Sequence, residues 1–231
     1  MPHLVSVIIS TYNSSEFIVE TLESVLKQTW SEIELIITDD CSLDDTVQKC
    51  DNWINENSQR FTRSLIITSD VNTGVSANAN RGLKCAKGEW IKFLGADDTL
   101  MEHCIEDNML WVKSHQEIRV LFSKVNIYNR LFTPETYIYT TQDDTSDPNS
   151  IMATGISAES QYKMLLISDR LHYTPSVFLH KETLLSVGGF DERFRLLEDY
   201  TLWLNLTRNG NKLNFMNKVT VNYRRHNKAI N

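Results

Sequence analysis

The sequence predicts an α/β fold built on a mostly parallel central sheet with helices on both faces. Three observations predict it. Short apolar runs rich in β-branched residues recur along the first half, segments of helical period lie between them, and 41% hydrophobic with 23% charged residues over 231 positions is ordinary globular usage.

Residues 4–9 form the first apolar run and read as a buried strand. Phe17, Ile18, Leu22, Val25 and Leu26 then recur at helical spacing, residues 33–37 supply a second strand, and Val47, Cys50, Trp53 and Ile54 mark a second helix before a third strand at 65–67. The alternation continues with a helix over 75–86, a strand over 90–94, a helix over 100–113 and a strand over 120–129. Residues 131–150 are polar, contain Pro134 and Pro148 and show little helical period, so they are expected to be a long connection or a lid. Beyond them the spacing predicts a helix near 157–167, a strand at 176–179, a helix at 198–208 and strands near 213–216 and 219–223. One domain over residues 1–231 is the expectation. Right-handed crossovers place strand-end loops on one rim, so residues 11–13, 39–42 and 95–98 should converge where open α/β sheets bind ligands.

Charge and cysteine usage narrow the function. With 23 Lys and Arg against 30 Asp and Glu, the net charge of −7 works against a broad phosphate-contacting surface for nucleic acid. A small anion remains compatible, because a local cation or a helix N-terminus holds phosphate on an acidic protein. Cys41, Cys50, Cys85 and Cys104 form no C-x-x-C pair, so reduced structural thiols are expected rather than zinc or disulfides. The 4–9 run is too short to span a bilayer and no signal-peptide pattern precedes it, which makes a cytoplasmic address the expectation.

The acidic residues carry the candidate chemistry. Asp39 and Asp40 end the second strand, while Asp44 and Asp45 open the following helix and are explained by capping and the helix dipole. Asp40 at a strand end is placed to accept hydrogen bonds from a nucleobase imide or ribose hydroxyls. The segment Gly95-Ala96-Asp97-Asp98-Thr99 also follows a strand; one acid suffices for capping, whereas two adjacent carboxylates suit Mg²⁺ or Mn²⁺ carrying substrate phosphates, and both readings stay open. Glu198 and Asp199 open a helix, either as acids complementing its dipole or with one of them acting as a general base. His226 stands beside Arg224 and Arg225 as a surface histidine or a ligand. The first strand runs into Thr11-Tyr12-Asn13-Ser14-Ser15, with no G-x-G-x-x-G turn, no P-loop, and none of the Gly-rich basic loop that a sugar nucleotidyltransferase should carry.

An ordered set of segments adds a resemblance. Val5-Ser6-Val7-Ile8-Ile9-Ser10-Thr11-Tyr12-Asn13, Ser24 to Thr29, Glu34 to Thr46, Asn72-Thr73-Gly74, Asn80-Arg81-Gly82, Ala86 to Ile91, Ala96-Asp97-Asp98, Gly188 to Glu192, Glu198-Asp199-Tyr200 and Tyr223-Arg224-Arg225-His226 follow one another in a family's order. In them the chain resembles family-2 inverting glycosyltransferases with the GT-A fold, over essentially its whole length. The resemblance implies a nucleotide-binding half over 1–98 and an acceptor-side half over 99–231. It implies a nucleoside-diphosphate sugar donor, with uridine diphosphate as carrier, held by Ser10, Tyr12, Asn13, Asp40, Asn80, Arg81 and Asp97. It further implies a divalent cation, Mn²⁺ or Mg²⁺, contacted by Asp98, a general base at Asp199 with Glu198 beside it, and Asp191 and His226 on the acceptor side. A glycan or lipid-linked acceptor, with peripheral contact at the inner face of a membrane, completes the implication. Two positions depart from the pattern: Gly95 stands where many relatives have an acid, and Ala79 where an arginine is common, with Arg81 nearby. These departures make a catalytically silent nucleotide-sugar-binding protein the rival expectation.

Overall fold

Strands form where the apolar runs find partners on both sides. In the computed structural model, which describes residues 3–142, 145–171, 174–195 and 197–227, β1 (Val5–Thr11), α1 (Ile18–Leu26), β2 (Ile33–Asp39), α2 (Thr46–Asn57), β3 (Arg63–Thr68), α3 (Val75–Cys85) and β4 (Trp90–Gly95) alternate as expected. There follow β5 (Thr99–Leu100), α4 (Cys104–Ser114), β6 (Val120–Asn129), β7 (Tyr137–Thr140), α5 (Ala158–Leu165), β8 (Phe178–His180), α6 (Lys181–Ser186), α7 (Glu198–Arg208) and β9 (Leu213–Arg225).

Among the described residues the strands form one sheet in the order β3-β2-β1-β4-β8-β6-β9-β5, with β7 paired to β6. The α/β class stands, and the strand sense divides in two. Pairs β3-β2, β2-β1 and β1-β4 are parallel, each reached through a helical crossover. Beyond β4 the sheet is mixed: β8 is antiparallel to β4 and β6, β5 is antiparallel to β9, and β6 is parallel to β9. The connection from β6 to β7 is too short for a parallel crossover, so that pair is an antiparallel hairpin.

Several boundaries differ from the sequence reading. The helix expected over 100–113 starts at Cys104, because Thr99 and Leu100 pair instead with Asn222 and Val221 of β9. The strands expected at 213–216 and 219–223 are one, with its register on β6 shifted at Asn217–Lys218 and again at Thr220, whose hydroxyl meets that of Ser123 at 2.6 Å. Part of the connection at 131–150 is β7; residues 143–144 of it lie outside the described residues. Helix α6 had no sequence reading, since one and a half turns show no period.

Strand alternation sorts the core into two layers. Val5, Val7 and Ile9 of β1 pack with Ile18, Leu22 and Val25 of α1 and Ile105 and Met109 of α4. Ile8, Ile36 and Ile91 face the other way, against Leu83 of α3 and Leu202, Trp203 and Leu206 of α7. Burial on both faces is why these strands read as continuous apolar runs rather than alternating ones. Lys92 is the exception inside β4: fully buried, it donates from Nζ to the Pro175 carbonyl at 2.8 Å, and burial pulls its pKa down to about 8. Among the described residues no helix is long and apolar enough to cross a membrane.

Candidate active site

The register of the parallel half brings the three predicted loops together. Ser10 of β1 lies opposite Gly95 of β4, and Thr11 lies opposite Asp39 of β2, so the segments after these strands share one rim. In this strand order β1 sits between β2 and β4, which makes its C-terminal end a point where the crossovers diverge and a crevice opens.

Asp39 and Asn13 build the floor of that crevice. Asp39 accepts from the Thr11 hydroxyl at 2.7 Å and from the Ser42 backbone N–H at 2.8 Å. Asn13, at φ 48°, donates its backbone N–H to Ser42 Oγ and accepts from the Leu43 N–H, both at 2.8 Å. Asn13 is thus a clip between the first two loops, while Tyr12 beside it is 44% exposed and Ser10 is half-buried. Asp44 accepts from the Thr46 N–H at 3.0 Å, the local helix-start role expected of it.

Asp40 makes a fuller set of contacts. It is buried, and its two oxygens accept from the Thr73 N–H (2.9 Å), the Gly74 N–H (2.7 Å), the Thr73 hydroxyl (2.6 Å) and Arg81 Nη2 (3.2 Å). Burial pushes its pKa up, but the bonds from Thr73, Gly74 and Arg81 outweigh it and hold the carboxyl below its usual range. The carboxylate therefore clasps the loop at 72–74. Arg81 is held on its other side by Asn78 Oδ1 at 2.8 Å, so a guanidinium reaches this end of the crevice although position 79 carries alanine. Asn80 is placed differently: its amide exchanges bonds with Phe190 and donates to Glu192 Oε1 at 2.9 Å, bracing α3 against the loop after α6.

The acid pair after β4 meets the end of β9. Asp98 is 3% exposed, and its Oδ1 accepts the Arg224 backbone N–H at 2.9 Å. Asp97 presents Oδ2 to His226 Nε2 at 2.8 Å, and its carbonyl accepts Arg224 Nε at 2.7 Å. Arg224 is itself fully buried, its guanidinium 4.3 Å from the Phe17 ring centre and 4.0 Å from that of Phe132, with Glu20 as its ion-pair partner. The ring of His226 also lies on Phe17, at 4.9 Å. Sequence reasoning noted Arg224 only as a neighbour of His226; the Arg-Arg-His run closing a strand was the available signal. Burial, and then the charge of Asp97, push Asp98 well above the usual carboxylate range.

That electrostatic state tests the fit of a cation. A Cβ built on Gly95 would lie 2.9 Å from Asp97 Oδ1 and 3.4 Å from Asp98 Oδ2, so the glycine leaves a space onto which two carboxylate oxygens open. Among the described residues no group of three or more His, Cys, Asp and Glu forms a metal cage. Hard divalent cations need only one or two carboxylates when phosphates and water fill the remaining positions, so the pair fits such an ion.

Glu198 and Asp199 stand apart, at the start of α7. Asp199 Oδ1 accepts the Tyr200 N–H at 2.7 Å, a helix-start contact. Burial raises the pKa of Glu198, and the neighbouring charge of Asp199 adds to it. Asp191 is held in two-pronged fashion by Arg193, at 2.9 and 2.7 Å, and lines an open cleft of about 310 Å³ along α7 with Tyr162, Thr201 and Arg208. Its carboxyl is lowered by Arg193.

A crevice at the ends of parallel strands thus carries, on one rim, a loop clasped by Asp40 and the Asp97–Asp98 pair. The family model for glycosyl transferase family 2 matches residues 6–155, and the chain belongs to that family. It is 30% identical over 223 residues to the Escherichia coli UDP-Glc:alpha-D-GlcNAc-diphosphoundecaprenol beta-1,3-glucosyltransferase WfaP, covering 96% of this chain and 78% of that one. Among solved structures, Staphylococcus aureus TarS 1-349 in complex with UDP-GlcNAc superposes with a TM-score of 0.73 at 22% identity, over 98% of this chain and 60% of that one. The mannosyltransferase PcManGT from Pyrobaculum calidifontis, in complex with GDP-Man and Mn²⁺, gives 0.73 at 16% identity, over 100% and 59%. These two likenesses show the fold, which is the GT-A fold expected. The chain spans about three fifths of the length of several such relatives.

Proposed function

We propose that this chain carries the catalytic site of an inverting, metal-assisted glycosyltransferase that moves a sugar from a uridine-diphosphate donor to a hydroxyl of a glycan or lipid-linked acceptor. The observation that carries the reading is the meeting, on one rim, of the Asp40-clasped loop with the Asp97–Asp98–His226 cluster. The nucleoside lies at the first and the diphosphate at the second. The UDP-sugar donor named for WfaP and the UDP-GlcNAc held by TarS support the choice of carrier. The lipid diphosphate in the WfaP name supports a lipid-linked acceptor, and with it peripheral contact with the inner face of a membrane.

Ser10 and Tyr12 border the nucleoside end, and the Arg81 contact, the longest of the four on Asp40, is the one a nucleobase imide N–H can replace. Asp98 and Asp97 would hold the divalent cation, Mn²⁺ or Mg²⁺, with His226 fixing the orientation of Asp97; Mn²⁺ in the PcManGT complex supports this. When bound, the cation supplies Lewis-acid stabilisation of charge on the departing diphosphate. Asp199 accepts the proton of the acceptor hydroxyl as its oxygen bonds to the anomeric carbon and the bond from that carbon to the diphosphate oxygen breaks. Glu198, whose burial raises its own pKa, stands beside Asp199, and the acceptor approaches from the side of α7 where Asp191 lies. The Arg81 guanidinium on Asp40 answers the Ala79 departure, and turnover separates an active site from a silent module.

The test is titration of UDP with Mn²⁺ and with chelator, followed by transfer and donor-hydrolysis assays with UDP-sugars. Tighter binding with metal and measurable turnover are expected. Equal affinity with and without metal would remove the cation from the reading, and binding without any turnover would leave a nucleotide-sugar-binding module.

A further inference from the structure

The two acids after β4 each give one oxygen to the end of β9. Asp98 Oδ1 accepts the Arg224 backbone N–H at 2.9 Å, and Asp97 Oδ2 faces His226 Nε2 at 2.8 Å. The other oxygen of each lies toward Gly95, where an added Cβ would be 2.9 Å from Asp97 Oδ1 and 3.4 Å from Asp98 Oδ2. The torsion that turns a carboxylate is broad, so an unanchored acid samples many directions. Anchoring one oxygen of each acid on β9 leaves the remaining two on the same space.

The Arg224 side chain seats that strand end. Its Nε donates to the Asp97 carbonyl at 2.7 Å, its Nη1 to the Arg130 carbonyl and its Nη2 to Glu20. The guanidinium carbon lies 4.3 Å from the ring centre of Phe17 and 4.0 Å from that of Phe132. One side chain thus joins β9 to the segment after β4, to the loop after β6 and to α1. Phe17 touches the second anchor as well, since its ring and that of His226 are 4.9 Å apart. Neither phenylalanine belongs to the two core layers, so the buried ring of Phe17 serves this cluster rather than the packing of the sheet on its helices.

We propose that Arg224 and Phe17 are positioning residues for the divalent cation: Arg224 fixes the Asp97 backbone and the strand end that anchors both acids, and Phe17 keeps Arg224 and His226 in step, so that one oxygen of each acid is presented together. This rests on the cation reading given above. Both side chains act through the acids and not on the ion or the donor. A pair oriented in advance spares the cation the cost of ordering two carboxylates. The effect therefore belongs to the metal-dependent part of donor binding and leaves the nucleoside end alone.

Titration of UDP in Mn²⁺ and in chelator, with a melting curve for each protein, tests this. In Phe17→Leu, which keeps an apolar side chain but no ring, the affinity gained on adding Mn²⁺ should shrink about tenfold, the loss seen when support around a metal site is disturbed. Affinity in chelator should stay at the wild-type value. The Mn²⁺ concentration for half-maximal transfer should rise, with the rate at saturating Mn²⁺ much less affected. Arg224→Lys keeps the charge but cannot reach three acceptors at once, and should lose as much; Phe17→Tyr restores a ring and should regain most of the loss. A Phe17→Leu or Arg224→Lys protein with the full wild-type gain from Mn²⁺ overturns the positioning role and leaves the cation reading standing. A variant that loses affinity equally with and without metal also overturns it, because the cluster then only holds the fold. Wild-type protein that binds UDP equally in Mn²⁺ and in chelator overturns both together, and if Arg224→Lys is poorly folded, the two Phe17 variants decide.

Discussion

Asp40→Ala removes the acceptor of four hydrogen bonds at once, and the structure sets the scale of the loss. One of the stranded donors has little access to water, the buried Gly74 N–H, whereas Arg81 keeps its bonds to the Thr73 hydroxyl and Asn78 Oδ1. A buried donor left unpaired costs about 1 to 3 kcal/mol, so the loss should be about 2 kcal/mol. For a chain of this length that lowers the melting temperature by roughly 4 to 8 °C. The acids that open α2 do not offset this, because Asp44 bonds locally to Thr46 and Ser15 and never reaches the loop at 72–74. Asp40→Asn should cost less: its amide group can face the Thr73 hydroxyl, which can turn to accept, leaving only Arg81 opposed. The pH dependence carries a sign. Asp40 has a folded pKa below its ordinary value of 3.8, so its contribution is present above 3.8 and lost as pH falls through the depressed folded value. Urea unfolding of wild type, Asp40→Ala and Asp40→Asn at neutral and acidic pH measures all of this, alongside UDP titration. Equal unfolding midpoints at neutral pH, or a difference that grows on acidification, would refute the clasp.

Three further outcomes are expected. Asp199→Asn should lower transfer by about 10² or more with donor affinity unchanged, because an amide cannot take the hydroxyl proton; steady-state rates near wild type would move the base to Glu198. Gly95→Ala should weaken the Mn²⁺-dependent part of UDP binding by about tenfold, in the range seen when support around a metal site is disturbed, while binding in chelator is untouched; calorimetry with and without Mn²⁺ reads the difference, and an unaltered metal effect would place the cation elsewhere. Lys92 has a folded pKa of about 8 against 10.5 for a free lysine, so the unfolded chain binds more protons between these values and Lys92 makes the stability difference between wild type and Lys92→Met move in favour of wild type as pH rises through that window. A pH-independent difference would mean that the ammonium is not desolvated.

The parts of this molecule legible in its sequence are those set by neighbours in the chain. The runs at 4–9 and 33–37 announce strands because two faces bury them, and Asp44 announces a helix start because its partner Thr46 is two residues away. The order of segments from Val5 to His226 pointed to the family, which the match over residues 6–155 bears out. Contacts across long gaps were illegible. Nothing local to Asp40 shows that its donors stand at 73 and 74, and nothing near Asn80 shows that its amide faces Phe190. In the mixed half of the sheet the strands at 120–129, 176–179 and 213–223 were legible but their pairing was not, and β5, of two residues, is too short to display a period. Lys92, a charge inside an apolar run, was visible and went unread.

Arg224 ties the acid pair to time as well as space. Its partners lie far behind it on the chain: Asp98 by 126 positions and Glu20 by 204. During synthesis the ribosome delivers β1 to β4 long before β9, so the emerging chain displays Asp97 and Asp98 as an unfinished, mutually repelling pair. Arg224 meets Asp98 only once β9 lies between β6 and β5, with its guanidinium against the rings of Phe17 and Phe132. Such distant pairings slow folding. They also mean that a ribosome stalled before residue 224 yields a chain whose rim has no Arg224 N–H for Asp98 and no His226 for Asp97, so the acid-pair end of the crevice is finished only when synthesis has passed it.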